Sequence, residues 1–381
     1  MLHALFWFSA IGLLYIYAGY PVWAQIRARL FPRAIAKAPF RATVSVVISV
    51  YGEAAKLEAK LRSLLALEDA ECIEQILVGS DGSPDDVVAV AKRIADPRIR
   101  VFPFRERRGK PSVLNDLMQQ CTGEIVLMTD ARQPLDRLAL RALLANFSDP
   151  AIGVVSGELV LVSGPDATTA AQGIDAYWRY EKMIRKSESV SGSVPGATGA
   201  LYAIRRSLLR PIPPHFLLDD VAIPLQAIRA GSRCVFEPAA LVYDQPESDP
   251  SREALRKRRT IAGTAQLAWE WPWLLNPFRN PIWFDFLSHK VLRLFSPLFL
   301  LALGGSNLLL LSNRYYLGIA AAQTLFYAIA ALGCGLNHFG IKAGLVGIPF
   351  MFIRLNISTL QAIGDAMSGK FEVRWARSRP V

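Results

Sequence analysis

Long stretches with almost no charged residues predict membrane-spanning helices near both ends of the chain. No Asp, Glu, Lys or Arg occurs from Leu2 to Ile26. The part from Leu5 to Trp23 can cross the hydrocarbon of a bilayer as a helix, which takes roughly 20 residues. Further along, the runs Leu294–Ser312 and Tyr315–Asn337 are joined by a short polar turn, so we expect a transmembrane hairpin there.

The first apolar run predicts a retained anchor, with a cleaved signal peptide as the alternative. The run lacks a basic start and an A-x-A-like exit, which disfavours cleavage. Five basic residues follow it: Arg27, Arg29, Arg33, Lys37 and Arg41. Cytoplasmic flanks of membrane helices are rich in Lys and Arg, so we expect the chain after this helix to lie in the cytoplasm. The expected location of the protein is the inner (plasma) membrane.

The last apolar run leaves the topology open. It extends from Ala343 to Ile363 and carries Arg354 and Asn356, which is compatible with spanning, re-entering or lying in the interface. The C-terminal region, 291–365, therefore has two or three membrane helices. The basic tail, 366–381, favours the cytoplasm, whereas a third C-terminal helix would place it outside.

A segment rich in Trp and Pro, residues 263–290, precedes the hairpin. Its aromatic residues alternate with Pro272, Pro277 and Pro281. Amphipathic rings suit the head-group layer of a membrane, so we expect an interfacial segment. An aromatic cluster in the core of the soluble part is the alternative.

The soluble part, residues 40–262, alternates strand patterns with helix patterns. Its predicted strands are the apolar or β-branched runs Thr43–Val50, Gln75–Ser80, Arg98–Phe104 and Glu124–Thr129. Stretches with helical spacing, such as 54–67 and 85–95, lie between them. This order predicts an α/β fold with a mostly parallel central sheet, in which ligands bind beyond the carboxyl ends of the strands.

The composition agrees with a soluble domain joined to membrane helices. Of the 381 residues, 52% are hydrophobic and 20% are charged, and the mean hydropathy is +0.26. The net charge is +11, and clusters of basic residues flank the apolar runs, which indicates membrane lipids and not nucleic acid as partners. The cysteines Cys72, Cys121, Cys234 and Cys334 show neither metal-binding spacing nor obvious pairing, as expected for a reducing compartment.

Carboxylates follow three of the predicted strands. Glu53 comes after the first strand, Asp81 after the second and Asp130 after the fourth. Because the carboxyl ends of parallel strands meet at one edge of a sheet, we expect these side chains to lie together. Each one alone is also explained as a turn residue, with Ser83 or Asp85 capping the next helix.

The motifs of this part resemble those of family 2 glycosyltransferases with the GT-A fold, in the membrane-bound branch related to cellulose, chitin and hyaluronan synthases. Seven pieces stand in the family's order: VSVVISVYGEA, VGSDGSPDD, GKPSVLNDL, LMTDAR, PGATGALYAIRR, LLDDVAIPLQAIRAG and RKRRTIAG. Any one of them is a weak signal, whereas seven in order are specific. The resemblance covers the soluble part and continues into the C-terminal membrane region.

The resemblance implies a binding site for the donor. Glu53 and Asp81 match positions that hold the uracil and ribose of a UDP-sugar, and Lys110 matches one that approaches the diphosphate. Asp130 matches the first Asp of the DxD motif, whose carboxylates hold Mg²⁺ or Mn²⁺ on the diphosphate. Arg132 replaces the second acidic residue of that motif. With Arg at this position, either the coordination of the metal differs from that of the family or no metal is needed. In the second case Arg132 would bind a phosphate directly.

The resemblance also implies the catalytic base and the acceptor site. Asp220 matches the general base of inverting transfer, which takes the proton of the acceptor hydroxyl. Asp219, Gly196, Thr198 and Gly199 match positions that line the acceptor site. The alternative for the acidic pair is a helix start, with Asp219 as the N-cap and Asp220 favoured by the helix dipole.

Two further segments match the family less closely. Arg259 matches an Arg that caps the diphosphate, but Thr260 replaces the Trp that stacks on the acceptor sugar, so processive synthesis does not follow. The basic run that includes Arg259 is also explained by anionic lipid. Ser156-Gly157-Glu158 either borders the donor sugar or forms a turn between strands.

The sequence thus predicts an inverting, metal-assisted transferase that uses a UDP-sugar and acts on a lipid-linked or growing saccharide at the membrane, for cell-surface glycan or exopolysaccharide synthesis. Other proteins of polysaccharide assembly or export are expected as partners. The alternatives are a transferase that loads a polyprenyl phosphate with one sugar, and a non-catalytic scaffold that binds nucleotide in an export complex.

Overall fold

A computed structural model describes residues 1–162, 169–245, 250–339, 341 and 344–367, without the side chains of 169–176, 250–254 and 367. The basic tail lies outside the described residues from 368 onward. The helices are α1 (Leu2–Leu14), α2 (Tyr20–Leu30), α3 (Ala54–Leu65), α4 (Val87–Ile94), α5 (Lys110–Gln119), α6 (Ala139–Leu144), α7 (Thr169–Ser191), α8 (Asp219–Arg229), α9 (Pro250–Glu270), α10 (Trp283–Asp285), α11 (Ser296–Leu308), α12 (Arg314–His338) and α13 (Gly347–Met367).

Seven strands form one mixed sheet. They are β1 (Val44–Val50), β2 (Ile73–Asp81), β3 (Ile99–Phe104), β4 (Ile125–Thr129), β5 (Ile152–Leu161), β6 (Leu201–Arg205) and β7 (Arg233–Asp244). Their order across the sheet is β3-β2-β1-β4-β6-β5-β7. The pairs β1–β2, β1–β4, β2–β3 and β5–β7 are parallel, whereas β6 runs antiparallel to β4 and β5. The predicted α/β fold with a mostly parallel sheet is confirmed.

Alternation along the strands separates two hydrophobic cores. In β1, Val46 and Ile48 contribute to one core, whereas Val47 between them contributes to the other. The first core includes the apolar face of α3, with Leu57, Leu61 and Leu64 at helical spacing. The second includes buried residues of α5 and α8. Helices therefore cover both faces of the sheet, and its carboxyl edge is left as the place for a site.

Four helices are long and apolar enough to cross a membrane: Leu2–Leu30, Trp283–Leu308, Arg314–His338 and Gly344–Ala366. The first joins α1 to α2 through a wider helical turn at Tyr15–Gly19. Small residues allow close helix packing, since a Cβ added to Gly12 of α1 would lie 3.0 Å from the ring of Phe299 in α11. The last apolar run is helical, and its spanning of a bilayer stays a prediction.

The Trp-rich segment has some rings inside the protein and others outside. Trp273 and Phe286 are buried in the second core, and Arg229 of α8 lies over the Trp273 ring with its guanidinium carbon 4.9 Å from the ring centre. Trp269 and Phe278 are 87% and 95% exposed. The core interpretation therefore holds for the first two rings, and the interfacial position of the exposed rings stays a prediction.

A buried polar cluster connects the soluble part to the first two membrane helices. We call it the junction cluster; its members are Tyr20 of α2, Glu181 and Glu188 of α7, and Asp285, His289 and Arg293 of the helix that begins at Trp283. The Tyr20 hydroxyl donates to Glu188 at 2.5 Å and to Asp285 at 3.0 Å. The ring nitrogens of His289 lie 2.7 Å from Glu188 and 3.0 Å from Glu181, and Arg293 pairs with Glu181. Each carboxylate of the cluster thus has a partner on another element.

Candidate active site

The sheet brings the three strand-end carboxylates to one edge. β1 lies between β2 and β4 and is parallel to both. Glu53, Asp81 and Asp130 follow or end these strands on the same side of the sheet. The charges of Asp130 and Arg132 influence the Glu53 carboxyl, although burial is the main reason why the pKa of Glu53 is raised. The expected grouping is therefore present.

Asp81 holds the loop that precedes α5. Its Oδ1 accepts the backbone N–H of Arg108 at 2.7 Å, and its Oδ2 accepts that of Gly109 at 2.9 Å. Gly82, at a φ of 61°, lets this loop approach, because a Cβ there would lie 2.7 Å from the backbone nitrogen of Arg107. Each carboxylate oxygen retains capacity for another hydrogen bond, so ribose binding by Asp81 stays a prediction.

The loops after β1 and β2 are tied to each other. Gly52 donates its backbone N–H to the Ser83 hydroxyl at 2.9 Å, and Ala54 donates to Asp85 at 2.7 Å. Ser83 and Asp85 therefore bind the start of α3, and the cap of α4 is Asp86, which the sequence prediction missed. The guanidinium carbon of Arg107 lies 3.8 Å from the centre of the Tyr51 ring. These contacts place an aromatic ring and a cation beside Glu53.

Lys110, at the start of α5, joins carboxylates from two elements. Its Nζ lies 3.0 Å from Asp130 Oδ1 and 3.1 Å from Asp219 Oδ2. Burial lowers the pKa of Lys110, but the charges of Asp130, Asp219 and Asp220 outweigh it, so the pKa is raised. For Asp130, burial raises the pKa, and the attraction of Lys110 outweighs this and lowers it. The carboxylate cluster, which we define as Asp130, Asp219 and Asp220, is therefore held around one ammonium group.

Asp220 has the properties of a proton acceptor near neutral pH. Burial, followed by the charge of Asp219, raises the pKa of its carboxyl to about 6. A Cβ added to Gly199 would lie 2.8 Å from Asp220 Oδ2, so the absence of a side chain at Gly199 makes room for the carboxylate. The backbone oxygen of Asp220 accepts the N–H of Ala197 at 2.8 Å, which holds the loop around Gly196 and Gly199 against α8.

The alternative in which Asp219 is the N-cap of α8 is wrong. The capping position is Leu218, and α8 has no side-chain cap hydrogen bond. Asp219 is the first helical residue, is 6% exposed and uses its carboxylate to hold Lys110. The position of both Asp residues in the first turn still favours their negative charge through the helix dipole.

Arg132 pairs with a carboxylate far along the chain. Its Nη2 lies 2.8 Å from Asp244 Oδ2 at the end of β7, and Gln133 Nε2 donates to the same oxygen at 3.0 Å. In this arrangement Arg132 connects the end of β4 to β7 across the site. Its direct contact with a phosphate stays a prediction.

The loop that contains Gly196, Thr198 and Gly199, which we call the acceptor loop, is held by hydrogen bonds from an arginine that the sequence analysis did not single out. Thr198 donates its backbone N–H to Ser156 at 2.9 Å, and Arg185 of α7 donates to both hydroxyls, at 2.8 Å to Thr198 and 2.7 Å to Ser156. The Thr198 hydroxyl is therefore occupied by protein. Gly196, at a φ of 129°, has a backbone conformation that favours glycine. The segment Ser156–Glu158 lies within β5, so the turn interpretation of it is wrong.

Arg259 reaches the site from α9. Its Nη2 donates to the backbone oxygen of Leu217 at 3.3 Å. Burial lowers its pKa, while the charges of Asp219, Asp220 and Asp130 oppose this. The guanidinium therefore acts on the carboxylate cluster, and its contact with a diphosphate stays a prediction. The neighbouring Arg258 pairs with Asp365 of α13, which connects α9 to the last apolar helix.

Two buried residues near the cluster were missed by the sequence analysis. Lys60 of α3 is 2% exposed and donates to the Thr129 hydroxyl at 2.6 Å and to the Gln133 carbonyl at 2.7 Å; burial lowers its pKa to about 7, opposed by Asp130. Tyr202 of β6 is 1% exposed, and within the described part of the chain its hydroxyl has no hydrogen-bond partner. For Lys60 the signal was a Lys beside Leu57, Leu61 and Leu64 on an apolar helix face.

Comparison with known proteins identifies similar glycosyltransferases. The family described as Glycosyl transferase family 2 matches residues 45–212. Two poly-beta-1,6-N-acetyl-D-glucosamine synthases, from Staphylococcus aureus (strain COL) and Staphylococcus epidermidis, are 24% and 23% identical over 205 residues, which are 52% of this chain and 49% of each relative. The chain thus spans about half the length of these curated relatives.

A solved structure has the same fold over nearly the whole chain. It is the mannosyltransferase PcManGT from Pyrobaculum calidifontis in complex with GDP-Man and Mn²⁺. The two proteins are 21% identical and superpose with a TM-score of 0.71, over 97% of this chain and 100% of the other. At this identity the likeness shows the fold and not the substrate.

Proposed function

We propose that this chain, whose residues 45–212 match the family described as Glycosyl transferase family 2, transfers a sugar from a UDP-sugar, with inversion, onto a lipid-linked or growing saccharide at the membrane. The observation that carries the proposal is the Asp220 carboxylate, which lies beside Gly199 of the acceptor loop with its pKa raised to about 6.

In the proposed reaction, Asp220 accepts the proton of an acceptor hydroxyl while that oxygen bonds to the anomeric carbon. The bond between the anomeric carbon and the diphosphate breaks on the opposite side, and UDP leaves with the electron pair. Lys110 and Arg259 supply positive charge near the carboxylate cluster, where the diphosphate is expected. A base with a pKa close to the working pH is effective because it is ionised and still accepts a proton readily.

The protein side chains at this site could hold a divalent ion only if the diphosphate of the substrate supplied further ligands. Within the described ranges, no group of three or more His, Cys, Asp or Glu side chains is placed to hold a metal. Asp130 is a single hard oxygen ligand whose side chain is 27% exposed, and diphosphate oxygens would complete the shell of Mg²⁺ or Mn²⁺. When bound, the ion would stabilise negative charge on the departing diphosphate. Lys110 neutralises Asp130 in this structure.

UDP-N-acetylglucosamine is the donor that we propose to test first. The printed names of the staphylococcal relatives refer to a polymer of N-acetylglucosamine, and the match to them covers much of the soluble domain. Glu53 and Asp81 beside the Tyr51 ring form the proposed nucleoside end of the site. The proposed setting is an inner membrane with the catalytic domain in the cytoplasm, supported by the four apolar helices and by the basic residues after the first of them.

The test is release of the nucleoside diphosphate by the full-length chain in detergent. It uses a panel of UDP-sugars in the presence of Mg²⁺, Mn²⁺ or EDTA, and GDP-mannose is the control for recognition of the uracil. We expect turnover of one UDP-sugar, and a loss of about 10²–10⁴-fold in kcat for Asp220→Asn with UDP binding retained. The matched control is Asp69→Asn, at the amino end of β2, where Asn tolerates the left-handed backbone at a φ of 67°.

The products separate the alternatives. Full turnover by Asp220→Asn would show that the base is another residue, and turnover in EDTA would exclude a required metal. A chloroform-soluble monosaccharide product would identify a polyprenyl-phosphate transferase. UDP binding without release, even after addition of a membrane lipid extract, would favour the scaffold.

A further inference from the structure

A cavity lies away from the carboxylate cluster. It has a volume of about 450 Å³ and is formed where the ends of α2, α7 and α8 meet the segment before Trp283. α8 begins at Asp219 and ends at Arg229 over 11 residues, which is about 16 Å of helix. Ile228 and Gly231 line the cavity, so it lies at the opposite end of α8 from the proposed base.

The lining of this cavity is positively charged. Three arginines line it, Arg27, Arg33 and Arg233, against one carboxylate, Asp285, which leaves an excess of two positive charges. Asp285 is already shared, because it pairs with Arg27 at 2.8 Å and accepts the Tyr20 hydroxyl at 3.0 Å. The positive charge of the other two arginines is therefore not neutralised by the cavity itself.

Arg33 and Arg233 are close enough for their charges to repel. Arg233 donates to the backbone oxygens of Gly192 and Ser189, at 3.0 Å each, and of Arg33 at 3.2 Å, which fixes its guanidinium without supplying a counter-charge. Burial lowers the pKa of Arg233, the charge of Arg33 lowers it further, and the charge of Asp149 opposes both without reversing the direction. Within the part of the chain that the structure describes, the exposed Arg33 side chain has no ion-pair partner. Such a pair of cations favours a bound anion.

The position of the cavity selects the source of that anion. Arg27 comes one helical turn after Trp23, where the first apolar run ends, and Pro281 and Ile282 on the other wall come directly before the second spanning helix at Trp283. Phe31, which also lines the cavity, is 65% exposed. The cavity thus opens at the depth of lipid head groups, where anionic phosphates are concentrated on the cytoplasmic side.

We propose that this cavity binds the phosphate of an anionic phospholipid, with Arg33 and Arg233 as the charged ligands and the Ser232 hydroxyl as a further donor. The site is separate from the proposed transfer site and does not depend on the proposed reaction. A volume of about 450 Å³ suits a head group, since ligand pockets in proteins span roughly 300–1,000 Å³.

The test compares two charge reversals at the same end of the first membrane helix. Arg33 lines the cavity, whereas Arg29 is also exposed and basic but does not line it. Binding of phosphatidylglycerol and phosphatidylcholine to the full-length chain in detergent is measured by native mass spectrometry and by the rise in Tm. We expect Arg33→Glu to weaken phosphatidylglycerol binding about tenfold, and Arg29→Glu to weaken it less than about twofold.

Three further results decide the proposal. Arg33→Lys should retain the lipid, and unliganded Arg33→Glu should melt like wild type because the Arg33 side chain has no ion-pair partner in the described chain and the backbone hydrogen bonds of residue 33 are retained. Equal losses in Arg33→Glu and Arg29→Glu would overturn the proposal, because they would indicate general surface charge. Displacement of the lipid by millimolar inorganic phosphate would overturn the lipid assignment in favour of a free phosphate, and equal binding of phosphatidylcholine would exclude recognition of the anion.

Discussion

The carboxylate cluster and the junction cluster contain the same kinds of groups and differ in how completely these are neutralised. The carboxylate cluster has three Asp residues around Lys110, with Arg259 acting on them from α9. Lys110 forms ion pairs with two of these three carboxylates, those of Asp130 and Asp219, and the Asp130 side chain is 27% exposed. Asp130 could bind a cation, and Asp220 could take up and release a proton, without loss of the packing around them.

The junction cluster is paired mostly within itself, although Glu188 Oε2 and the Nε and Nη2 atoms of Arg293 have no hydrogen-bond partner in the described chain. Its three carboxylates, Glu181, Glu188 and Asp285, are at most 7% exposed, and they are matched by His289, Arg293 and the neighbouring Arg27. Both ring nitrogens of His289 contact a carboxylate, one from Glu188 and one from Glu181. The comparison teaches that unbalanced, partly open charge indicates a site, whereas balanced and buried charge indicates a joint between elements.

The largest expected effect breaks the junction cluster. Glu181→Gln removes the counter-charge of the largely buried Arg293 and changes one contact of His289. We expect a loss of about 3 kcal/mol in the free energy of unfolding, because breaking a buried ion pair on one side costs about 3–5 kcal/mol. The measurement is thermal unfolding in detergent, with turnover per folded molecule assayed in parallel.

Asp220→Asn provides the reverse pattern as the control, with the same Tm as wild type and little turnover. If Glu181→Gln lowered turnover with no change in Tm, the junction cluster would belong to the site and the comparison would fail.

A smaller effect tests the carboxylate cluster through pH. Asp220 acts as a base only when ionised, and its pKa is raised to about 6 by burial and by Asp219. We therefore expect kcat/KM to be level above that pH and to fall about tenfold per pH unit below it. The pH profile of UDP release at saturating metal is the measurement, with Tm recorded over the same range to exclude acid unfolding. A level profile down to pH 5 would contradict the assignment of Asp220.

The sequence predicted the carboxylate cluster because local patterns specify it. The runs that become β1, β2, β3 and β4 are short, apolar and bounded by polar residues, and parallel strands bring their ends to one edge. Glu53, Asp81 and Asp130 therefore had to be neighbours. The family resemblance added Lys110 and the pair Asp219 and Asp220, which no spacing in the sequence connects to Asp130.

Contacts between distant elements could not be predicted in this way. Arg132 and Asp244 are 112 residues apart, and Tyr20 and Asp285 are 265 apart. Glu181 and Glu188 are two turns apart on α7 and have the pattern of an ordinary charged helix face. Only the packing of α7 against α2 and the second spanning helix buries them. The turn alternative for Ser156–Glu158 arose because Gly157 is typical of both turns and strands; in β5 its missing Cβ makes room for Ala240 O of β7.

The smallest expected effect comes from a matched pair of buried tyrosines, one in each region. The Tyr20 hydroxyl donates to two buried carboxylates, whereas the Tyr202 hydroxyl has no hydrogen-bond partner in the described chain. Removing a bonded hydroxyl leaves its acceptors unsatisfied, at about 1–3 kcal/mol, whereas removing an unsatisfied one is nearly neutral. We therefore expect Tyr20→Phe to lower the free energy of unfolding by about 2 kcal/mol and Tyr202→Phe to change it by less than about 0.5 kcal/mol.

The measurement is thermal unfolding of both variants in the same detergent. Both substitutions retain the aromatic ring, so a difference between them reports the hydroxyl and not the packing of the ring. A loss in Tyr202→Phe as large as in Tyr20→Phe would show that the Tyr202 hydroxyl stabilises the fold through a bonded water or ion beside Asp219, Asp220 and Asp130, whose charges influence it. The carboxylate cluster would then be as closed as the junction cluster, and the difference between the two regions would lie only in their exposure.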